Sequence, residues 1–276
     1  MNSAVKATPS ASIGVFDSGI GGLSILKALR AEMPLEHFVY FADSAHNPYG
    51  EKSEAFVIER SLAIAQQLID QHHIKALVVA CNTATAAAIH LLRAKHPGLP
   101  IIGVEPALKP AVAISQTKRI AVLATRGTLH SSRFQALLQS LQGQAEFICT
   151  PCDGLADLIE RGPSTPEAPD LIAACAVFVK ASGTFGVKPG EIDTLVLGCT
   201  HYPLVLPAFR QAVGEAVQIV ENGLAVAKRV SALIAPSGAA SSCQLTRPDP
   251  FTQPKKFLLL SSATQQALDH SAARWL

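Results

Sequence analysis

Charged residues are scarce in this sequence of 276 residues, at 16% of the total, whereas apolar types account for 49%. A typical soluble domain carries roughly 25% charged residues, so much of this chain must be buried. That balance excludes intrinsic disorder, coiled coil and collagen-like structure. An excess of basic residues is also missing, because 23 Lys and Arg face 21 Asp and Glu, for a net charge of +2. We therefore expect no nucleic-acid partner.

Long apolar runs and secretory signals are missing as well. No apolar run approaches the roughly 18–20 residues that span a bilayer, and residues 1–12 are polar and interrupted by Pro9. Six cysteines are too few for a disulfide scaffold. Cys149 and Cys152 have the spacing of half a zinc site, but without a second pair we interpret them as packed thiols and expect no metal. These features predict a cytoplasmic globular protein without membrane attachment.

Short apolar runs rich in Val, Ile and Leu alternate with segments of helical period almost throughout the chain. This alternation is typical of α/β proteins, and nearly continuous apolar strands suit a mainly parallel sheet that is covered on both faces. Residues 236–254, rich in Ser, Ala and Pro, are the most loop-like stretch. The predicted strands are Ile13–Phe16, Phe38–Ala42, Ala76–Ala80, Ile101–Val104, Ile120–Ala124, Phe147–Cys149, Leu195–Gly198, Val217–Val220 and Phe257–Leu260.

Two strand-containing segments each have a counterpart later in the chain. Lys75–Thr83 resembles Asp193–His201, and Ser12–Asp17 resembles Arg119–Ala124. Chance similarity between buried apolar strands is the alternative explanation, but a cysteine at the same place in both copies favours a duplication. The repeat therefore predicts two similar α/β halves, each with a strand that ends in a cysteine.

Residues that can carry chemistry follow the predicted strands directly or after one residue. They are Asp17, Cys81, Thr125 and Cys199, and the functional crevice of a parallel sheet lies beyond these strand ends. Two thiols from two halves would flank one small anionic ligand, held by the polar residues that begin the next helices. One thiolate could remove a proton from a carbon while the opposite thiol returns one, which inverts a stereocentre. Asp17 and His201 are candidates to orient these thiols or to share their protons.

Three other functions fit parts of the sequence. The turn Asp17–Gly22 approximates a dinucleotide fingerprint, but the last glycine of the fingerprint is missing and the Asp17 carboxylate would repel a pyrophosphate. A cysteine hydrolase would use Cys199 with His201 as its base, and would leave Cys81 without a purpose. A binding module for small anions would use the Ser and Thr residues but neither thiol. We therefore favour proton transfer at carbon.

Four motifs, in this order, resemble those of the glutamate racemases. The resemblance implies racemisation of glutamate by two bases without a cofactor, and a product, D-glutamate, that serves bacterial cell-wall peptidoglycan and cell shape. The similarity runs from about residue 13 to about residue 234. The motifs are Phe16–Ser24, Tyr40–Asp43 with Pro48–Gly50, Ala80–Ala84, and Leu197–Pro203.

The same resemblance implies an arrangement of domains. Two pseudo-symmetric α/β domains, with mainly parallel sheets flanked by helices, would enclose the active site between them. The first would comprise residues 1–105 and 216–276, because the C-terminal segment returns to it, and the second would comprise residues 106–215. Glutamate would be the partner, and a homodimer is one hypothesis for the assembly.

Matching positions assign the site residues. Cys81 and Cys199 would be the two acid/base residues, with Asp17 assisting near Cys81 and His201 near Cys199. The expected substrate-binding residues are Ser18, Asn82, Thr83, Thr125, Thr128 and Thr200 at the α-amino and α-carboxylate end, Pro48, Tyr49 and Gly50 at the distal carboxylate, and Glu160.

Two segments depart from the family pattern. Glu160 matches a family acid that lies eight positions after a cysteine, here Cys152, but the residues between them are more polar than is usual in the family. Val220–Gly223 stands where an aspartate and a small residue are expected. These departures concern local detail and leave the expected reaction unchanged.

Overall fold

The computed structural model describes residues 11–162, 165–234 and 257–276. The loop-like stretch predicted at residues 236–254 lies outside them. In the described part the chain is an α/β protein with two sheets, as predicted. Its nine strands each overlap a predicted strand, with bounds that differ by up to two residues: β1 (Ile13–Asp17), β2 (Phe38–Ala42), β3 (Ala76–Val79), β4 (Ile101–Gly103), β5 (Arg119–Ala124), β6 (Glu146–Pro151), β7 (Thr194–Leu197), β8 (Gln218–Val220) and β9 (Phe257–Ser261).

The strands form two parallel sheets. The first has five strands in the order β4-β3-β1-β2-β9, and the second has four in the order β6-β5-β7-β8. Every residue of β1, β2 and β3 is buried, as expected for strands that helices cover on both faces. Because parallel strands end at the same edge of a sheet, the loops after β1 and β3 lie together, as do those after β5 and β7.

Eleven α-helices flank the sheets in the described ranges. Several begin where a side chain accepts a backbone N–H group, as Ser53, Cys81 and Thr125 do. None of the described helices combines the length and the hydropathy that a bilayer crossing requires. They are α1 (Leu23–Glu32), α2 (Glu54–His72), α3 (Asn82–Lys95), α4 (Leu108–Ile114), α5 (Arg126–His130), α6 (Ser132–Ser140), α7 (Leu155–Arg161), α8 (Pro169–Ser182), α9 (Leu206–Val213), α10 (Gly223–Ile234) and α11 (Gln265–Trp275).

The segment after residue 216 contributes to both sheets. β8 pairs with β7 in the second sheet, whereas β9 pairs with β2 at the edge of the first, and α10 packs against α1. β8 lies within the range 216–276 that the sequence assigned to the first domain, so a boundary just after β8 would agree better with the strand pairing. The division of the chain into two domains stays a prediction.

One hydrophobic cluster joins the two sheets. It includes Ile13 and Val15 of β1 together with Leu123 of β5 and Leu195 of β7, all buried. Two further clusters each lie within the helices and strands of one sheet. Burial of apolar surface stabilises the folded state by roughly 25 cal/mol per Å². The shared cluster therefore holds the two sheets together and fixes the relative positions of their loops.

Candidate active site

The thiol of Cys81 lies directly beyond β3, at the N-terminus of α3. Its sulfur accepts the N–H group of Ala84 at 3.4 Å and donates to the Ser18 hydroxyl at 3.8 Å. Burial raises the pKa of the Cys81 thiol, and the charges of Asp17 and Cys199 raise it further. The charge of Cys199, the second cysteine predicted as an acid/base residue, therefore acts on Cys81. Cys81 carries its proton unless a neighbour assists its removal.

Asp17, at the end of β1, connects the surroundings of the two thiols. Its carboxylate accepts the N–H group of Gly22 at 2.8 Å and the hydroxyl of Thr200, the residue after Cys199, at 3.5 Å. Burial raises the pKa of Asp17 to about 6, although the charge of His201 opposes the rise. The group can therefore gain or lose a proton near neutral pH.

Beside the second thiol, three side chains form a hydrogen-bonded chain. Cys199 follows β7, and its sulfur lies 3.8 Å from Nδ1 of His201. Nε2 of His201 lies 2.7 Å from the carboxylate of Glu160 on α7. Burial acts to lower the pKa of His201, but the hydrogen bonds and charges of Cys199 and Glu160 outweigh it and hold the pKa well above its usual value. The imidazole is therefore expected to be protonated in the resting site.

The glycine-rich turn makes room for that chain. A Cβ atom at Gly19 would meet the Glu160 carboxylate, and one at Gly21 would meet the His201 ring. The N–H group of Ile20 donates to both oxygens of Glu160, at 2.9 and 3.2 Å. A side-chain carboxylate thus takes the place over the turn where a dinucleotide would need its pyrophosphate. This contact argues against the dinucleotide alternative.

Three threonines from the two halves meet in one cluster. The hydroxyl of Thr83, in the first turn of α3, lies 3.1 Å from that of Thr125 and 3.5 Å from that of Thr128. Thr125 caps α5, and its hydroxyl donates to Thr128 at 3.0 Å. Neighbouring Asn82 is buried and donates to a backbone carbonyl at 3.5 Å, while its Oδ1 has no partner among the described residues. The predicted anion cradle is therefore assembled from both halves.

The turn Pro48–Gly50 reaches across to the second half. A Cβ atom at Gly50 would lie 2.8 Å from the Cβ of Thr125, so this backbone packs directly against the threonine cluster. Tyr49 is buried, and its hydroxyl donates to Asp43 at 2.5 Å. The sequence suggested that both the phenol and the backbone would hold a carboxylate. Since Asp43 engages the phenol, the backbone N–H groups of the turn are the better candidates.

The structure also brings in residues that the sequence did not single out for the site. Ser24 donates to the carbonyl of Thr200 at 2.9 Å, and the hydroxyl of Tyr40 donates to the carbonyl of Gly19 at 2.6 Å. A tyrosine in a fully buried strand must bond its hydroxyl somewhere, and that signal could have identified Tyr40. Cys149 and Cys152 are two free thiols. Cys152 donates to the carbonyl of Thr150, and burial together with the charge of Cys199 raises its pKa.

The chain of Cys199, His201 and Glu160 would also suit a cysteine nucleophile, since a hydrolase needs a base that a third group orients. That chemistry has no use for Cys81, for Asp17 between the thiols or for a second half. Two buried thiols on two similar halves instead match a pair of acid/base groups that face one carbon atom.

Comparison with known proteins agrees with that conclusion. The family model described as Asp/Glu/Hydantoin racemase matches residues 23–230. The chain belongs to this racemase family.

Within the family, this chain is similar to glutamate racemases. The glutamate racemase of Ralstonia pickettii is 44% identical over 238 residues, which cover 86% of this chain and 81% of that protein. The Escherichia coli glutamate racemase in complex with L-glutamate and the activator UDP-MurNAc-Ala superposes with a TM-score of 0.78 at 30% identity, over 95% of this chain and 93% of that chain. The Francisella tularensis enzyme in complex with D-glutamate gives a TM-score of 0.75 at 26% identity, over 96% and 93%.

Proposed function

We propose that this chain is a glutamate racemase, an isomerase that interconverts L- and D-glutamate by two-base proton transfer without a cofactor. The observation that carries the proposal is the pair of buried thiols, Cys81 and Cys199, each beyond a strand of its own sheet. The charge of Asp17 acts on Cys81, and its carboxylate accepts the hydroxyl of Thr200 beside Cys199. The names of the relatives support glutamate as the substrate.

The reaction moves one proton at each face of the α-carbon. The thiolate of one cysteine takes the α-proton and becomes a thiol, and the electron pair of the broken C–H bond stays on the substrate. The thiol of the other cysteine then gives its proton to the opposite face and becomes a thiolate. Each pKa unit of mismatch between thiol and α-carbon costs about 1.36 kcal/mol, so fixed hydrogen-bond donors around the substrate must stabilise the carbanion-like transition state.

Asp17 and His201 would prepare the thiols for their roles. Asp17, with a pKa of about 6, is suited to accept a proton on the Cys81 side near neutral pH. Protonated His201 would donate a hydrogen bond to the sulfur of Cys199, 3.8 Å from its Nδ1, and Glu160 fixes the imidazole by the 2.7 Å hydrogen bond. In this assignment Glu160 acts through His201 and the turn, whereas the sequence had placed it among the substrate-binding residues.

The two ends of the substrate would lie in different groups of donors. The turn Pro48–Gly50 would take the distal carboxylate with its backbone N–H groups. The support is geometric: the threonine cluster and this turn are in contact. The α-amino and α-carboxylate groups would lie between the thiols, against Ser18, Asn82, Thr83, Thr125, Thr128 and Thr200.

The wider role follows from the product. D-glutamate is an amino acid of bacterial peptidoglycan. The enzyme would therefore supply cell-wall synthesis from the cytoplasm, where it would act on a small-molecule substrate. A homodimer is the assembly we propose, and light scattering on the purified protein tests it: a molar mass of one chain would contradict it.

The decisive experiment follows the α-carbon in deuterated water. Purified protein is incubated with L-glutamate and no added cofactor, and optical rotation and deuterium at the α-carbon are measured. We expect loss of rotation together with deuterium uptake. Cys81→Ala and Cys199→Ala should each abolish the loss of rotation, because a single base cannot serve both faces.

Cys149→Ala is the matched control, since this half-buried thiol lies on the edge strand β6, and it should racemise like the wild type. Near-full turnover of both enantiomers by either Cys81→Ala or Cys199→Ala would refute the two-base assignment. Hydrolysis or simple binding would give neither loss of rotation nor deuterium uptake.

A further inference from the structure

The carboxylate of Asp43, at the carboxyl end of β2, is the centre of a buried polar cluster. Its side chain is fully buried and accepts hydrogen bonds from Tyr49 at 2.5 Å and from Arg60 at 2.7 and 2.9 Å, with Nδ1 of His46 at 3.0 Å. Burial acts to raise the pKa of Asp43, but the bonds from Arg60 and Tyr49 outweigh it and lower the pKa. Asp43 is therefore a buried negative charge.

Arg60 compensates that charge with a bidentate contact. It lies on α2, and its Nε and Nη2 atoms each bond a different oxygen of Asp43. A guanidinium in this fork geometry fixes a carboxylate more rigidly than a point charge does. A further hydrogen bond joins the carboxylate to Tyr49, whose neighbour Gly50 packs against Thr125. Arg60 is thus connected to the turn through two hydrogen bonds in series.

We propose that Arg60 is a positioning residue for substrate binding, which acts through Asp43 and Tyr49 on the turn Pro48–Gly50. This inference rests on the proposed function, because it takes that turn as the place of the distal carboxylate. The guanidinium of Arg60 interacts with the side chains of Asp43 and Tyr49. It orients the Asp43 carboxylate and cancels its charge.

The charge of the Asp43 carboxylate determines the effect of removing Arg60 on substrate binding. Without the guanidinium, Asp43 is a buried carboxylate next to the turn that must receive the second carboxylate of glutamate. Like charges at short distance in a buried setting repel strongly, and an unpaired buried charge is far more costly than a neutral pair. Substrate binding should therefore suffer more than the proton transfer, which takes place at the thiols.

The test compares Arg60→Gln with a double variant that also removes the charge of Asp43. For L-glutamate we expect Arg60→Gln to raise KM by about tenfold and to change kcat by less than about threefold, the size typical of one lost charge-assisted contact. Arg60→Gln combined with Asp43→Asn should recover most of the KM, because two neutral amides replace the ion pair and no carboxylate is left to repel substrate.

The matched control is Lys75→Gln. Lys75 pairs with Glu36 at 2.5 Å and is about as exposed as Arg60, at 31% against 26%, but it precedes β3 at the opposite edge of the same sheet. Its KM should equal that of the wild type.

An unchanged KM in Arg60→Gln, or a loss of kcat at unchanged KM, would overturn the positioning role, as would a double variant worse than the single one. If Arg60→Gln does not fold, Arg60→Lys is the deciding variant, because it keeps the charge but loses the bidentate geometry of the guanidinium. Its KM should rise about threefold. A wild-type KM would overturn the proposal. If the wild type itself fails to racemise glutamate, the proposed function fails instead, and the two outcomes are distinguished.

Discussion

Burial governs the proton chemistry of single residues in this site. Asp17 and Cys81 are both buried, and in both burial is the largest cause of the raised pKa. His201 is the reverse case, because two hydrogen-bonded neighbours overcome the effect of burial. The site therefore contains a carboxyl group, Asp17, with a pKa near neutrality and a protonated imidazole, His201, beside Cys199. Both groups are suited to proton exchange.

The raised pKa of Asp17 has a consequence for stability. Its pKa is about 6 in the folded protein against 3.8 for an exposed aspartate, so folding favours the protonated form. That contribution is fully present below about pH 4 and is lost as the pH rises through about 6. At 1.36 kcal/mol per unit, the charged group lowers the free energy of unfolding at neutral pH by up to about 3 kcal/mol. We expect Asp17→Asn to unfold at higher urea concentration than the wild type at about pH 7.5, with the gap closing near pH 4.

The control for this measurement is Asp70→Asn, because Asp70 is exposed on α2 and accepts from Gln66. Its effect on the urea midpoint should be small and nearly the same at both pH values. A wild type that is at least as stable as Asp17→Asn at neutral pH would contradict the prediction.

Single residues were predictable from the sequence where the strand pattern alone placed them. Apolar strands precede Asp17, Cys81 and Cys199. The carboxyl ends of parallel strands lie at one edge of the sheet, so the strand pattern alone places these residues at that edge. The contact of Arg60 with Asp43 was not predictable in this way. It depends on the rotation of α2 and on its distance from β2, which packing sets and which no local pattern records.

At the scale of elements, the glycine-rich turn between β1 and α1 depends on the absence of side chains at its glycines. Gly19 and Gly21 have no side chains, and this lets Glu160 and His201 approach the backbone of the other half. The sequence shows that these positions are glycine, which permits a close approach to the backbone. It could not show that the approaching groups would be side chains from residues 140 and more positions later.

This close approach predicts the effect of a single methyl group. In Gly21→Ala the new Cβ would lie 2.7 Å from Cε1 and 2.8 Å from Cγ of His201, so the ring must move. A displacement of about 1 Å at a catalytic group can cost about 100-fold in rate, and we expect a loss of kcat of that size in the racemisation assay. Gly98→Ala is the control, because no heavy atom lies within 4 Å of its added Cβ. Wild-type kcat in Gly21→Ala would show that His201 does not act as we propose.

The strands themselves were the best predicted elements, because buried parallel strands are short apolar runs that alternate with helices. Which strands pair with each other was less predictable. β8 is only three residues long and half-buried at the edge of the second sheet, so its own sequence carries little information about which sheet it joins. It pairs with β7 of the second sheet, although the next helix, α10, packs on α1 beside the first sheet.

At the scale of the whole molecule, the two sheets are not independent. The cluster that contains Ile13 of β1 also contains Leu195 of β7, so neither half can unfold without exposing apolar surface of the other. Hydrogen bonds between the halves, such as Ser24 to Thr200 at 2.9 Å, add to this connection. Two units that share a core of this kind are expected to unfold together.

The single tryptophan makes this expectation measurable. Trp275 is the only tryptophan in the chain and is buried at the end of α11, which packs against β9 of the first sheet. Its fluorescence therefore reports on the first sheet, whereas far-UV circular dichroism reports on the helices and strands of both. We expect the two signals to change at the same denaturant concentration. Glutamate at about 100 times its Kd should raise the free energy of unfolding by about 2.7 kcal/mol and move both midpoints together, since a ligand held between the sheets stabilises both. A second dichroism transition without a fluorescence change, or a ligand shift in only one signal, would show that the shared cluster does not couple the halves.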